Sequence, residues 1–291
     1  MTGPLLAVDA PSLLYRAFFA LPKSIRGADG EPVNALLGTA NLLLQAYDAH
    51  SPRAVVLCFG AEAAAYRVEA FPAYHADRPP MPPELEHQWS DARDFFAEFG
   101  WPSLDAEPDG LEADDLLGAL ARLESQAGGE TLLFTGDRDM FQCVGERVRL
   151  LFPAKGGPES IGPGEVRERY GVEPEQVPDL IALRGDPSDG LPGAKGIGAK
   201  GAAELLRRFG TLEGVLDGAG RATSEMTPRM RGALTADPEL LRSFHDIATL
   251  RPIDVERPAD GPLDALRAAA AALQRGMGAL AGRLEQRASA T

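Results

Sequence analysis

Cysteine and histidine are scarce in this chain of 291 residues. The two cysteines, Cys58 and Cys143, form no CxxC pair and lie in apolar stretches, which excludes a disulfide framework. We expect buried, reduced thiols and a cytoplasmic location. The four histidines form no HExxH or paired-ligand spacing, which argues against a zinc site; they are His50, His75, His87 and His245.

Long apolar runs are also missing. No segment approaches the roughly 18 uninterrupted apolar residues of a membrane-spanning helix. The first apolar run, Leu5 to Val8, is interrupted by Asp9 and does not resemble a secretory leader. With 44% apolar and 25% charged residues, the composition predicts a globular protein of one large or two smaller domains, with no membrane partner.

Lysine is the third scarce residue. Only four lysines occur, and the formal net charge is −14. A negative protein disfavours a nucleic-acid partner overall, but phosphate contacts depend on local patches. Any such surface must therefore be confined, and two of the four lysines, Lys195 and Lys200, fall in one glycine-rich stretch.

Acidic residues, by contrast, are clustered. Glu112-Ala113-Asp114-Asp115 opens an apolar helical pattern. On a helix Glu112 and Asp115 share a face, while Asp114 projects about 200° away from Glu112. Acids also favour a first helical turn because they meet the positive end of the helix dipole. A simple helix start therefore explains this group equally well.

Other acids follow predicted strands. Asp137 and Asp139 come after the buried pattern Thr131 to Thr135, and Gly136 ends that strand. In open α/β sheets, ligands bind at the edge that the C-terminal ends of the strands form. Carboxylate groups are the ligands that hard cations prefer, so these acids predict an Mg²⁺ or Mn²⁺ site. The eight candidate ligands are Asp9, Glu112, Asp114, Asp115, Asp137, Asp139, Asp186 and Asp189.

Strand and helix patterns alternate up to about residue 152, which predicts a parallel sheet with crossover helices. We expect Val148 to Phe152 to be the last core strand. After Gly156-Gly157-Pro158 the pattern becomes helical. The tail from Pro262 is rich in Ala, Leu and Arg and predicts an exposed or loosely packed helix.

Two further stretches suit contacts with nucleic acid. Between Ala61 and Pro83, aromatic and basic residues are interleaved, so rings could stack on bases while cations meet phosphates. An ordinary surface loop stiffened by prolines is the alternative.

The second stretch is the glycine-rich turn. Gly196-Ile197-Gly198 leads into a helix, so backbone N–H groups could approach phosphate oxygens; a plain turn between helices is the alternative. The turn does not match GxxxxGK[ST], which disfavours a nucleotide-binding P-loop.

Five motifs in this order make the chain resemble the bacterial 5'-nuclease family, which includes flap endonucleases and the 5'-3' exonuclease domain of DNA polymerase I. The resemblance runs from about Leu5 to about Pro252. It rests on Leu13 to Pro22, Tyr74 to Met81, Glu112 to Asp115, Thr135 to Asp139, and Gly185 to Asp189 continuing into the glycine-rich turn.

The resemblance implies an α/β fold: a PIN-like (resolvase-like), mostly parallel sheet flanked by helices, with a C-terminal helical helix-hairpin-helix (H3TH) domain. It places the catalytic domain at residues 1–172, with a helical arch at about 66–99. Residues 173–291 would form the duplex-binding domain and the helical tail.

The resemblance also implies site residues. The eight acids carry over as ligands of two Mg²⁺ or Mn²⁺ ions, which activate water and stabilise the leaving oxygen without a protein nucleophile. Arg16, His75 and Arg78 would hold the scissile phosphate or a free 5' end. A K⁺ ion is implied at the H3TH turn, and the residues implied to contact DNA are Tyr74, Gly193, Lys195, Gly196, Ile197, Gly198 and Lys200.

Three positions depart from the family pattern. Gly60 stands where an aspartate is usual, His75 replaces a lysine of the arch motif, and Gly190 replaces an asparagine. Histidine is a weaker cation than lysine at neutral pH, so we expect weaker phosphate attraction there. The first two departures bear on catalytic rate and metal occupancy more than on fold.

The leading hypothesis is a stand-alone, monomeric, metal-dependent 5' nuclease that cleaves flapped or nicked duplex DNA in replication and repair, with DNA polymerase and ligase as separate partners. One alternative is a structure-specific DNA-binding protein whose nuclease activity is weakened or lost, which Gly60 and His75 favour. The other is a PIN-like RNase, against which Lys195 and Lys200 argue.

Overall fold

A computed structural model describes residues 3–221 and 226–290. Over these residues a mixed sheet forms the centre of the molecule, with strands Leu5–Asp9 (β1), Ala54–Phe59 (β2), Ser103–Asp105 (β3), Thr131–Phe134 (β4), Val148–Phe152 (β5) and Glu159–Ile161 (β6). Their spatial order is β3-β2-β1-β4-β5-β6. All neighbouring pairs are parallel except β5 and β6, which are antiparallel. The mostly parallel sheet predicted from the sequence is confirmed.

Helices connect and cover these strands. Several begin after a residue whose side chain accepts a hydrogen bond from the first turn and so satisfies a free N–H, as Asp9, Thr211, Thr227, Asp237 and Asp264 do. The helices are Ala10–Ala20 (α1), Asn34–His50 (α2), Ala65–Ala70 (α3), Pro83–Ala97 (α4), Ala113–Gln126 (α5), Pro163–Tyr170 (α6), Val177–Arg184 (α7), Ala199–Phe209 (α8), Leu212–Gly220 (α9), Pro228–Thr235 (α10), Pro238–Ala248 (α11), Ala265–Gln274 (α12) and Gly278–Ala290 (α13), with 3₁₀ turns at Glu107–Asp109, Asp139–Cys143 and Pro174–Gln176.

The strand prediction was incomplete at the two edges of the sheet. The expectation that Val148–Phe152 is the last strand is wrong, because β6 follows it and Ile161 of β6 is buried opposite Leu150. β3 was also missed. Each of these strands has three residues, which is too short for an alternating pattern to be recognised.

Apolar side chains on the two faces of the sheet form separate cores. In β1, Leu5 and Ala7 belong to one core, and Leu6 and Val8 belong to the other, because successive side chains of a strand point to opposite faces. Helices α5 to α11 contribute to the first core, and α1, α2, α4, α12 and α13 contribute to the second. Burial on both faces explains why the strand pattern is continuously apolar.

The second half of the expected arch is part of a core. Leu85, Phe95 and Phe96 of α4 are fully buried against the second face of the sheet. Their spacing gives α4 an apolar stripe that has to be covered. Of the expected arch at 66–99, α3, the segment up to residue 82 and Trp89 of α4 contribute to the lining of the cleft described below.

The tail is also packed, so the prediction of an exposed or loosely packed helix is wrong. Ala268, Ala272, Leu280 and Leu284 are fully buried in the second core. Alanines at this spacing give a helix a small, smooth face that packs closely, and composition alone does not distinguish that face from a solvated one. The tail therefore lies on the opposite face of the sheet from α7 to α11, although both were expected in one domain of residues 173–291.

Two expectations drawn from scarce residues can be compared with the structure. Cys58 is buried in β2, as expected, whereas Cys143 is only partly buried; both are free thiols. Within residues 3–221 and 226–290, no helix is both long and apolar enough to cross a membrane.

The packed tail predicts a stability difference between two of its leucines. We expect Leu280→Ala, at a fully buried position, to lower the free energy of unfolding by about 2–5 kcal/mol, because it leaves a cavity in the second core. Leu273→Ala is the matched control: its side chain is 61% exposed, and its effect should stay within about 0.5 kcal/mol. Urea denaturation followed by circular dichroism measures both, and equal effects would contradict the packing described here.

Candidate active site

A cleft of about 950 Å³ lies at the C-terminal edge of the sheet, next to the ends of β1 and β4, the start of α5 and the loop between α7 and α8. Neighbouring parallel strands end at the same edge, which is why acids from distant parts of the chain meet there. Of the eight predicted acids, only Asp115 is not in its lining. The other seven are Asp9, Glu112, Asp114, Asp137, Asp139, Asp186 and Asp189.

Asp9 joins the two central strands. It ends β1, and its Oδ1 accepts the Ser12 N–H at 3.0 Å. Its Oδ2 accepts the hydroxyl of Thr135 at 2.6 Å. Because Thr135 directly follows β4 and is fully buried, this contact fixes the end of one central strand against the end of its neighbour.

The loop after β4 holds the next two acids. The N–H of Asp137 donates to the Thr135 hydroxyl at 2.9 Å, and the N–H of Asp139 donates to Oδ1 of Asp137 at 2.8 Å. Gly136 donates its N–H to the Ser12 hydroxyl at 3.0 Å. These bonds turn the chain sharply after the strand and place both carboxylates in the cleft, as the strand pattern predicted.

The three acids at the start of α5 differ in their contacts. Oδ2 of Asp115 accepts the Glu112 N–H at 3.3 Å, and the Asp115 N–H donates to the backbone carbonyl of Glu112 at 3.2 Å. Asp115 is fully buried outside the cleft lining. The helix-start interpretation is therefore correct for these two residues. The expectation that Asp115 faces the metal site needs correction, because its Oδ1 accepts the Arg251 N–H at 2.8 Å and pairs with Arg67 at 3.4 Å. Asp114 lines the cleft.

Burial and mutual repulsion raise the pKa of the central carboxyls. Loss of hydration is the largest cause for Asp9, Asp114, Asp137 and Asp139, and the pKa of Asp137 rises to about 6. Repulsion by neighbouring acids adds to the effect, since a carboxyl is harder to ionise beside another negative charge. Over the described ranges, no cationic side chain pairs with Asp114, Asp137 or Asp139.

The negative charge of these carboxylates is relevant to whether a metal ion can bind in the cleft. The donors are carboxylate oxygens, which are the ligands of hard divalent cations. In the described part of the chain, however, no three His, Cys, Asp or Glu side chains converge on one point where they could hold an ion. The donor chemistry fits such a cation, and a complete ligand shell around it would require side-chain rotations.

Asp186 and Asp189 lie on a tight turn after α7, where Asp186 and Leu191 exchange backbone hydrogen bonds of 2.8 Å. Arg184 Nη2 lies 3.4 Å from Asp186. Oδ1 of Asp189 lies 3.0 Å from His75 Nε2 and 3.5 Å from Arg78 Nη2. Asp186 and Asp189 therefore lie beside arginine or histidine side chains, whereas, over the described residues, Asp114, Asp137 and Asp139 have no such partner.

His75 and Gly190, two of the departures from the family pattern, lie in the same contact. His75 has a positive φ of 56°, which is uncommon outside glycine, and its Nδ1 lies 2.8 Å from the Glu62 carbonyl. Gly190 has φ 75°, and a Cβ there would lie 2.8 Å from the Ala73 carbonyl oxygen. The close approach of these two loops therefore requires glycine at 190.

Tyr74 lines the cleft but is almost fully buried, and Arg16 lies outside the cleft lining. Tyr74 is 5% exposed, and its hydroxyl donates to the Glu112 carboxylate at 3.2 Å. It supports an acid of the cleft, and its ring stacks on His75 with centroids 3.8 Å apart. Arg16 is exposed on α1 and is not in the cleft lining, whereas Arg78 is.

The glycine-rich turn connects α7 to α8. Gly193 has φ 63°, and a Cβ there would lie 2.2 Å from the Gly185 N atom, so glycine is required. Gly198 caps α8, Ile197 is buried beneath the turn, and Lys195 and Lys200 are exposed on it.

Sequence reasoning missed two arginines of these surfaces. The guanidinium of Arg229, on α10, comes within 3.2 Å of the position that a Cβ on Gly196 would take. Arg67, on α3, lines the cleft although it is 3% exposed. Neither residue has a recurrent spacing relative to the acids. Only the interleaved aromatic and basic texture around Arg67 hinted at a role, and it favoured an exposed surface.

Gly60 ends β2 against the start of α5. A Cβ at this position would lie 2.5 Å from the Ala113 N atom and 2.8 Å from the Glu112 Cα. The absent carboxylate is therefore part of a close backbone approach. A side chain cannot be restored at Gly60 without moving α5, which carries Asp114.

An acidic cleft at the edge of a resolvase-like parallel sheet, followed by a helical segment with an exposed glycine-rich turn, defines a class of nuclease. A model of the family described as "5'-3' exonuclease, N-terminal resolvase-like domain" matches residues 4–171, and one described as "5'-3' exonuclease, C-terminal SAM fold" matches residues 172–272. The chain belongs to the 5'-3' exonuclease family. It is therefore a nuclease, that is, a hydrolase.

Curated relatives of this chain include DNA polymerases. The thermostable DNA polymerase I of Thermus thermophilus is 39% identical over 254 residues, which cover 87% of this chain and 30% of the relative. The DNA polymerase I of Bacillus caldotenax is 39% identical over 218 residues, covering 74% of this chain and 24% of the relative. The chain thus spans less than a third of the length of these relatives.

Solved structures share the fold along nearly the whole chain. The T5 D15 protein co-crystallised with metal ions has a TM-score of 0.68 at 18% identity, covering 97% of this chain and 98% of that one. The catalytic core of Rad2 in complex with DNA substrate has a TM-score of 0.65 at 17% identity, covering 98% of this chain and 90% of that one. The fold class predicted from the resemblance is confirmed.

The close approach at Gly60 predicts that even a methyl group is harmful. We expect Gly60→Ala to lower the free energy of unfolding by about 1–3 kcal/mol, because the added Cβ overlaps the backbone of α5. Gly232→Ala, in α10 with open space around its Cα, is the control and should be neutral or stabilising by up to about 1 kcal/mol. Thermal denaturation compares the two, and a Gly60→Ala variant as stable as wild type would refute this account of the position.

Proposed function

We propose that the protein is a structure-specific 5' nuclease that hydrolyses phosphodiester bonds of flapped or nicked duplex DNA with the help of two divalent cations, Mg²⁺ or Mn²⁺. The observation that carries this proposal is the set of partly buried acids that line the cleft at the edge of the sheet and, over the described residues, have no cationic side chain paired with them, centred on Asp114, Asp137 and Asp139. Like charges held this close favour a cationic ligand. A phosphodiester is a substrate whose hydrolysis such cations promote.

Asp9, Asp114, Asp137 and Asp139 would hold the cations, with Asp186 and Asp189 as further ligands. When bound, divalent cations supply an activated water and stabilise the charge on the leaving oxygen. Glu112 and Asp115 act differently, since both carboxylates pair with the buried Arg67. They fix the start of α5 and thereby orient Asp114.

Protein cations at the cleft would orient the DNA. Arg78 lines the cleft and is 47% exposed, so it is better placed than Arg16 to meet the scissile phosphate or a free 5' end. His75 lies deeper, against Asp189. Residues 66–82, with α3 and the proline-rich segment, would guide the single strand past these side chains.

The turn between α7 and α8 would hold the duplex. A helix start presents free backbone N–H groups with partial positive charge, which favours phosphate, and Lys195, Lys200 and Arg229 add full charges beside it. A K⁺ ion bound at the turn would contribute to the same contact. We propose residues 1–172 as the catalytic unit and α7 to α11 as the duplex-binding unit.

This activity would serve primer removal in replication and flap removal in repair. Hydrolysis that leaves a 5' phosphate beside a 3' hydroxyl produces the substrate of a DNA ligase, and a DNA polymerase extends the upstream strand that creates the flap. Both enzymes are therefore proposed as partners. The curated relatives contain the matching segment within DNA polymerase I, which agrees with this assignment.

Cleavage of a labelled 5'-flap duplex tests the proposal. We expect wild type with Mn²⁺ or Mg²⁺ to cut near the junction. Asp137→Ala should lower the cleavage rate by more than about 100-fold, because it removes a proposed ligand, and even second-sphere changes at metal sites cost 10–100-fold. Asp217→Ala, an exposed acid on α9, is the control. Absence of cleavage by wild type, or equal rates for both variants, would reject the proposal; preference for an RNA flap would indicate the RNase alternative.

Duplex binding by the turn predicts a change in salt dependence. Lys200→Ala and Arg229→Ala should each weaken binding to duplex DNA regardless of sequence and reduce the slope of log affinity against log salt by about one unit, as expected for one lost phosphate contact. Lys155→Ala, an exposed lysine between β5 and β6, should leave the slope unchanged. Fluorescence anisotropy over a KCl series in EDTA measures the slopes, and identical slopes for all variants would place the duplex elsewhere.

A further inference from the structure

Arg67 is a buried arginine with partners on three different elements. It lies on α3, and its side chain is 4% exposed. Its Nε donates to the Ile247 carbonyl of α11 at 2.9 Å. Its Nη1 lies 2.9 Å from Oε2 of Glu112, and its Nη2 lies 3.4 Å from Oδ1 of Asp115. The guanidinium therefore connects the base of the arch, the start of α5 and the end of α11.

The two carboxylates that Arg67 contacts flank Asp114. Both also accept backbone hydrogen bonds, Glu112 from Ala64 at 2.6 Å and Asp115 from Arg251 at 2.8 Å. Without Arg67, two neighbouring buried carboxylates would have no cation beside them, which is costly. Arg67 thus compensates the acids that hold the helix start, while Asp114 between them lines the cleft and, over the described residues, has no cationic side chain paired with it.

The contact between Arg67 and α11 fixes the start of α5 relative to helices α7 to α11. Phe71, one turn after Arg67, packs edge to face on Phe244 of α11 with ring centroids 5.2 Å apart. Arg251, which follows α11, donates its N–H to Asp115. Hydrogen bonds from Arg67 to Ile247 and from Arg251 to Asp115, together with apolar packing, therefore join the proposed duplex-binding unit to the start of α5.

We propose that Arg67 is a positioning residue of this nuclease, which holds Glu112 and Asp115 against α11 so that Asp114 faces the cleft, without contacting DNA itself. This inference rests on the proposed function, because it assigns a role within the same site. A planar guanidinium is required, since it reaches two carboxylates and a carbonyl at once, which a lysine ammonium cannot do in this geometry.

Arg53 provides a matched control for losing a buried arginine. It is also 3% exposed and pairs with the buried Glu124 and with Asp260. It precedes β2, at the opposite edge of the sheet from the cleft. Each substitution removes a buried arginine from a buried acid. Glu124 would keep Arg257 as a second cation at 2.8 Å, whereas Glu112 and Asp115 pair with Arg67, and only Arg67 is connected to the start of α5.

The test compares Arg67→Met with Arg53→Met in the flap assay. We expect Arg67→Met to lower kcat by about 10- to 100-fold, as for other residues that orient ligands, while KM and the affinity for duplex in EDTA stay within about 3-fold of wild type. Arg53→Met should destabilise the fold and leave kcat within about 3-fold. Arg67→Lys should recover only part of the rate. Equal kcat for the two methionine variants would overturn the proposal.

A double-mutant cycle with Glu112→Gln distinguishes positioning from general support. If Arg67 acts through this carboxylate, Glu112→Gln should lower kcat much less in the Arg67→Met background than in wild type. Independent, multiplying effects would overturn the inference.

Hydrogen exchange gives a readout that needs no DNA and no activity. Amides of residues 112–116 should exchange faster in Arg67→Met than in wild type, and Arg53→Met should leave them unchanged; unchanged exchange in Arg67→Met would also reject the idea. Loss of flap cleavage by wild type would instead reject the proposed function. The exchange result would still decide whether Arg67 holds the helix start.

Discussion

Several carboxylates are held together at a partly buried sheet edge, and this electrostatic constraint shapes the rest of the structure. Two like charges about 5 Å apart repel by roughly 3 kcal/mol at an effective dielectric constant of 20, so the backbone must hold them in place. The ends of β1 and β4 do so, because Thr135 donates to Asp9 and accepts from the Asp137 N–H. The cleft is therefore organised by hydrogen bonds that belong to the protein itself.

The surrounding acids are divided according to their partners. Glu112 and Asp115 are paired with Arg67, and Asp189 meets His75 and Arg78. The central acids have no such partner, and burial raises their pKa values. This division concentrates uncompensated charge at the centre, where a divalent cation would bind, and leaves the outer acids to hold α5 and the turn after α7.

Support for the cleft comes from both faces of the sheet. The tail packs against α4 and α2, where Arg275 pairs with Asp91 and Arg287 with Asp48, and it shares the second core with Leu6 and Val8 of β1. The departures from the family pattern also have structural explanations: Gly60 allows the backbone of α5 to approach β2, and Gly190 allows the arch base to approach the turn after α7. Neither glycine by itself therefore indicates that nuclease activity is lost.

The sequence by itself determined the local features: where β1 and β4 end, where α5 begins, and that a glycine-rich turn precedes α8. These follow from periodicity and helix-breaking residues, which act over a few positions, so Asp9 and Asp137 could be placed at strand ends. Tertiary structure decided which acids share the cleft, that Asp115 is paired with Arg67, and that the tail is buried. The physical reason is range: Arg67 and Ile247 are 180 residues apart, and no local pattern encodes such a contact.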